Sequence, residues 1–209
     1  MFEKIPVSGG SRAWLLILAL LPGSLFALSS SSADPGKVFP AEITVTEEGE
    51  THRLAFTGET ERVFLFFSVY TIAHYAEVDD WPLPTLDTVV ADGQGKALVT
   101  RFSRKLGAER IRKEFADSLL RNAEPAWLDE AAATITAFMN AIDRDVRDGD
   151  QLVFFWLAGG RLFVEFNGER AFTATDAAFA KLIWSIWFGS DPVCDRKELL
   201  AQISAEGDL

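Results

Sequence analysis

Apolar and polar residues alternate from Val38 to Thr46 (VFPAEITVT), the period of a strand with one buried face, and Glu47-Glu48-Gly49-Glu50 reads as the turn after it. His52 to Thr57 predicts the returning strand, and Gly58-Glu59-Thr60-Glu61 the next connection. The alternation then gives way to a stretch that is apolar almost throughout. From Gly58 to Tyr75 the sequence is GETERVFLFFSVYTIAHY, with Phe64, Phe66, Phe67, Val69, Tyr70 and Ile72 behind a single arginine, Arg62. Aromatic and β-branched residues at this density predict one buried strand, continuing to Glu77. Asp79-Asp80-Trp81-Pro82-Leu83-Pro84 breaks it, and Lys96 to Ser103 (KALVTRFS) resumes strand character.

The period then changes from 2 to 3.6. Ile111, Phe115, Leu119 and Asn122 fall on one stripe of a helix from Gly107 to Ala123, which Pro125 stops. A second amphipathic helix is predicted from Leu128 to Val146, ended by Asp148-Gly149-Asp150. Gln151 to Leu157, Arg161 to Phe166 and Glu169 to Thr173 form a three-stranded meander, because Gly159-Gly160 and Asn167-Gly168 are strong hairpin turns. A last long helix, Ala177 to Phe188, follows Thr175-Asp176, whose side chains suit an N-cap. Asp195 to Ile203 predicts a short closing helix. Strands, two helices, strands, then helices is the order of an α+β fold: one large antiparallel sheet with helices packed on one face.

Lys4 and Arg12 precede an apolar segment, Ala13 to Leu21, which Pro22-Gly23 interrupts before Ser24-Leu25-Phe26-Ala27-Leu28 and a Ser run that ends at Ala33. A basic start, a short apolar core and a small-residue end mark a secretory signal peptide over residues 1–33, with a single domain over 34–209. Cleavage after Ala33 fits the small-residue rule; cleavage after Ala27 and an uncleaved anchor are the other readings. The expected location is therefore periplasmic or secreted, with no stable membrane span once the signal is removed. Cys194 is the only cysteine, so stability must come from the core and not from an internal disulfide.

A net charge of −11 argues against a nucleic-acid partner and against docking on an anionic membrane. No phosphate-binding glycine loop, nucleophile elbow or zinc-spaced cysteine pair occurs, and His52 and His74 stand apart from any carboxylate cluster. No metal, no other cofactor and no catalytic residue is expected. Arg62 has two readings from its residue type alone: a carboxylate anchor, or a strand-end cation paired with Glu59 or Glu61. Tyr70 likewise reads as a ligand contact or a core tyrosine, and Asn122 as a ligand contact or a helix C-cap.

The order Gly58, Arg62, Val63-Phe64, Phe66-Phe67, Val69-Tyr70, Ala73, Tyr75, followed by Asn122, Gly149-Asp150, Asn167-Gly168 and Ile186-Trp187-Phe188-Gly189, resembles the exported bacterial branch of the chalcone isomerase-like family. The likeness extends over roughly residues 38 to 203. It implies an open-faced β-sandwich and two activities within the family: cyclisation of chalcones, or non-catalytic binding of fatty acids. The enzymes carry a tyrosine and an asparagine on the first long helix; this chain has Phe115 and Asn122 there. At the enzymes' threonine position on the strand it has Tyr70, and at a helical Thr or Ser position it has Ala180. Losing such donors costs a polar active site orders of magnitude in rate. The fatty-acid-binding pair, an arginine and a tyrosine, is matched by Arg62 and Tyr70.

The resemblance therefore implies a binder of a fatty acid or similar amphipathic carboxylate. Arg62 and Tyr70 would hold the head group, Phe64, Phe66, Ile111 and Phe115 would form the apolar wall, and Asn122 would lie nearby. An isomerase or lyase using the same cleft, and an interaction module with a self-filled cleft, are the alternatives. One geometric condition attaches to the pair. Eight residues of straight strand would set them about 26 Å apart, so the backbone between them must not run straight.

Overall fold

The computed structural model describes residues 39–77 and 83–203. The predicted signal peptide (1–33), Val38 and the Asp79-to-Pro82 part of the breaker loop lie outside them. Seven strands form one antiparallel sheet in strictly sequential order: β1 (Glu42–Glu47), β2 (Glu50–Phe64), β3 (Phe67–Glu77), β4 (Lys96–Phe102), β5 (Gln151–Leu157), β6 (Arg161–Phe166) and β7 (Glu169–Thr175). Helices α1 (Ala108–Asn122), α2 (Pro125–Glu130) and α3 (Ala132–Ala141) intervene between β4 and β5, and α4 (Ala177–Phe188) follows β7. A 3₁₀ turn, Glu198–Leu200, closes the described chain.

The helical face of the sheet carries the larger core. Ile72, Leu98, Phe154, Trp156, Leu162 and Val164 point from successive strands against α4, which is buried from Ala178 to Phe188 except at Lys181. A helix apolar on all sides belongs inside a domain, and α4 lies under α1 and α2 as well as on the sheet. Asp176 caps it by accepting from the Phe179 N–H at 2.9 Å, as the sequence predicts. Each large side chain buried here contributes roughly 1.5–3 kcal/mol before the entropy of ordering is subtracted.

The opposite face is not left to water. Val45, Leu54, Tyr75, Val99, Phe155 and Phe163 form a second core on it, with Phe155 and Phe163 stacked at 4.8 Å. The sheet curls to enclose this face, and Arg170 of β7 reaches Glu47 of β1 at 2.8 Å across the closing edge. Burial on both faces explains why QLVFFWL in β5 is continuously apolar and does not alternate.

Five sequence expectations change. Gly58-Glu59-Thr60-Glu61 is not a connection; β2 passes through it. Gly58 is needed for a close approach, since a Cβ there would lie 2.0 Å from the Glu198 carbonyl oxygen. The apolar stretch is not one strand but a hairpin, turned at Leu65-Phe66. Pro125 does not simply stop a helix: it is the first residue of α2, where its missing N–H costs nothing. The second predicted helix is divided at Ala131, and the closing helix shrinks to the 3₁₀ turn.

Candidate functional site

The β2–β3 hairpin decides where Arg62 goes. Arg62 pairs in register with Tyr70, so the two side chains leave the same face of adjacent strands. A bulge at Val69 shifts the register from Arg62↔Tyr70 to Val63↔Ser68. Because of it, Phe67 and Tyr70 both reach one cavity although they differ in parity.

That cavity has a volume of about 500 Å³ and lies between the sheet and α1 and α4, a size typical of small-molecule sites. Tyr70, Thr100, Phe102, Leu152 and Phe154 form its floor; Ile111, Phe115 and Ser118 of α1 cover it; Ile186 and Trp187 of α4 and Val193 close the far wall. Phe64, Leu65 and Phe67 of the hairpin and Arg104 to Gly107 form the rim. Helical spacing puts Ile111, Phe115 and Ser118 on one face of α1, and the period-2 pattern puts Thr100 and Phe102 on one face of β4.

Arg62 donates from Nη1 to the Val193 carbonyl at 2.5 Å. Neither Glu59 nor Glu61 is paired with it, and no carboxylate among the described residues forms an ion pair with it. The Tyr70 hydroxyl accepts from Trp187 Nε1 at 3.2 Å, which leaves its own proton for donation. Burial holds its pKa well above the ordinary tyrosine range, with the neighbouring Cys194 adding to the rise and Trp187 and Arg62 opposing it. The phenol is therefore a neutral donor beside a cation. Burial likewise pushes the Cys194 thiol up to about 12, so it is a poor nucleophile.

Two expected site residues lie elsewhere. Phe66 is the second residue of the hairpin turn and is 93% exposed, so it cannot form part of the wall. Asn122 leaves the last turn of α1 away from the cavity. Its amide donates to the Ser118 and Asp191 carbonyls and its oxygen accepts from the Asp191 N–H, which is a structural tie between α1 and the segment after α4. Phe64, Ile111, Phe115, Arg62 and Tyr70 do line the cavity.

The charged residues around the cavity are Arg62, Arg104, Lys105, Arg110 and Glu114. Four cations to one carboxylate is the reverse of the chain's overall balance. Thr100, 3% exposed on the floor, has a hydroxyl with no hydrogen-bond partner. No group of three or more His, Cys, Asp or Glu residues suited to a metal occurs among the described residues.

The model of a family described as chalcone isomerase-like matches residues 36–201. The chain belongs to the chalcone isomerase-like family. No curated protein matches it in sequence. Among solved structures it is similar to the fatty-acid binding protein AtFAP1 of Arabidopsis thaliana, with a TM-score of 0.55 at 13% identity over 75% of this chain and 95% of that one. At that identity the likeness establishes the chalcone isomerase-like fold.

Within this chalcone isomerase-like chain, Ala180 is part of the buried α4 core and contributes no polar group. Phe115 packs edge-on against Phe138 and tilts against Phe154, giving the cavity an apolar wall there. Trp187, which donates to the Tyr70 hydroxyl, enters the sequence reading only within the segment Ile186-Trp187-Phe188-Gly189, and Thr100 only as a strand residue. Only tertiary packing reveals the partner of Trp187.

Proposed function

We propose that the protein binds a fatty acid or a similar amphipathic carboxylate in this cavity, without catalysing a reaction on it. The observation that carries the reading is the adjacency of Arg62 and Tyr70 at one end of an unfilled, mainly apolar chamber. The guanidinium has donors to spare beyond the one given to Val193, and a guanidinium makes charge-assisted, often bidentate bonds to a carboxylate. The phenol adds a neutral donor. The excess of cations at the rim favours an anion, while Phe115, Leu152, Phe154 and Ile186 suit an acyl chain at roughly 0.8 kcal/mol per methylene buried. The chamber's volume counts against a self-filled module.

Residues 1–33 support a further part of the proposal, that the protein works outside the cytoplasm after export. The experiment is mass spectrometry of small molecules co-purifying with the protein, repeated on Arg62→Ala and joined to thermal shifts with added fatty acids. A carboxylate-bearing lipid enriched on the wild type and depleted on the variant is expected. Absence of both a co-purifying lipid and a thermal shift would remove the reading, and turnover of a chalcone above background would replace it with catalysis.

A further inference from the structure

Among the described residues seven large hydrophobic side chains are exposed, and five of them are consecutive: Val63, Phe64, Leu65, Phe66 and Phe67, at 47, 46, 72, 93 and 61%. Single exposed apolar residues are ordinary; a contiguous patch marks an interaction site. The strands carry this patch beyond the sheet. β1 pairs with β2 only as far as Ala55, and β4 pairs with β3 only as far as Phe102 opposite Tyr70. Past those points β2 and β3 pair with each other, as a two-stranded tongue.

The tip is built against its own backbone preference. Leu65 holds φ at +60° and Phe66 does not have a positive φ, the pattern of a II′ turn whose first position favours glycine. A leucine there spends folding energy to present an apolar side chain 72% exposed. Two cations lie against the rings at the base of the patch. The Arg104 guanidinium lies 5.3 Å from the Phe67 ring centre and that of Arg110 5.4 Å from Phe64. Lys105 and Arg110 pair with Asp145 and Glu114, yet remain 69 and 55% exposed, so these are weak, screened pairs.

We propose that the tongue docks the protein on an anionic lipid bilayer, with Leu65 and Phe66 entering the interfacial region and Arg104, Lys105 and Arg110 meeting the head groups. Apolar insertion combined with basic residues at the surface is the pairing such binding requires. The chain's net charge of −11 orients the contact, since an anionic surface repels the rest of the molecule and accepts this end. A second copy is a poorer occupant, because tip-to-tip contact brings Arg104, Lys105 and Arg110 of two copies together. On this proposal the charge argument from the sequence, which weighs the chain as a whole, does not extend to this end of the molecule. Docking stands on the tongue alone; its use for passing an acyl chain over Phe64, Leu65 and Phe67 into the cavity rests on the binding proposed above.

The test is flotation of the full chain with vesicles of phosphatidylcholine alone or mixed with phosphatidylglycerol, at low and high salt, for wild type, Phe66→Ser and Phe66→Trp. Residues 1–38 are common to all three, so differences between them report the tongue. Wild type and Phe66→Trp are expected to bind the mixed vesicles more tightly than the neutral ones and to weaken in salt. Phe66→Ser is expected to lose about tenfold or more in vesicle affinity, the scale of burying one aromatic side chain. Its affinity for fatty acid in solution should be unchanged, because Phe66 is outside the cavity. Equal flotation of wild type and Phe66→Ser would overturn the proposal, as would a wild-type dimer that Phe66→Ser disperses without any effect on vesicles. Loss of fatty-acid binding with vesicle binding intact would count against the cavity reading alone.

Discussion

Arg62 and Tyr70, eight positions apart in the chain, face each other directly across one rung of the β2–β3 hairpin. The turn at Leu65-Phe66 brings them together, and the bulge at Val69 keeps the rim aromatics on their side. Truncating the guanidinium tests what the pairing is for. Arg62→Ala should weaken binding of a long-chain fatty acid by roughly 10- to 100-fold, the range of a lost charged hydrogen bond of about 1.5–3 kcal/mol. Arg62→Lys should fall between, retaining charge without the planar fork. Titration calorimetry reads both, and unchanged affinity in Arg62→Ala would remove the clamp.

Tyr70→Phe should behave differently. It removes the donor to the ligand and also leaves Trp187 Nε1 without its acceptor. A stability loss of about 1–2 kcal/mol in denaturant unfolding is expected together with a several-fold loss of affinity. Because burial raises the phenol's pKa, spectroscopic titration of the folded protein should show Tyr70 still protonated at a pH where ordinary tyrosines have ionised.

His74 supplies a pH dependence. It is fully buried, its Nδ1 meets the Thr57 hydroxyl at 2.7 Å and its ring lies against Phe188. Burial, with a smaller push from Lys96, lowers its pKa to about 3 from the ordinary 6.5. The native state therefore keeps it neutral while the unfolded chain takes up a proton, so stability present above 6.5 is lost as pH falls towards 3. Denaturant midpoints should fall on acidification from pH 6.5, before most carboxylates titrate. His74→Gln should flatten that slope; an unaltered slope would place the sensitivity elsewhere.

Two backbone substitutions should move in opposite directions. Gly58→Ala drives a methyl into the Glu198 and Leu199 backbone and should cost more than about 2 kcal/mol, because backbone cannot step aside as a side chain can. Leu65→Gly relieves a positive φ and should raise the melting temperature by an amount worth about 1 kcal/mol. Calorimetry of the two variants side by side checks both signs.

Much of the architecture was legible because the residues that shape it act locally. Asp176 caps α4, Gly159-Gly160 and Asn167-Gly168 turn the meander, and Ile111, Phe115 and Leu119 mark the inner face of α1. The β2–β3 hairpin was hidden because its turn uses Leu65 and Phe66, residues that ordinarily signal a strand interior. Gly58 misled for the complementary reason: it admits a distant backbone and turns nothing. Arg62, Tyr70, Phe64, Ile111 and Phe115 could be nominated from the resemblance, and they converge on one cavity. Asn122 and Phe66 could not be placed, since their orientations depend on Asp191 and on the turn. Trp187 and Thr100 matter through partners, present or missing, that no local pattern encodes.

The sequential strand order bears on how the chain finds its fold. No strand is inserted between two that precede it, so each hairpin can form beside the last without threading, and most pairing closes short loops. The connection from β3 to β4 is longer, and the longest closure is the union of β4 with β5, which must wait for α1 to α3 to be spooled between them. That junction is the expected rate-limiting closure. Loosening the α1–α3 insert should therefore slow refolding, whereas damage to the β6–β7 hairpin should chiefly hasten unfolding.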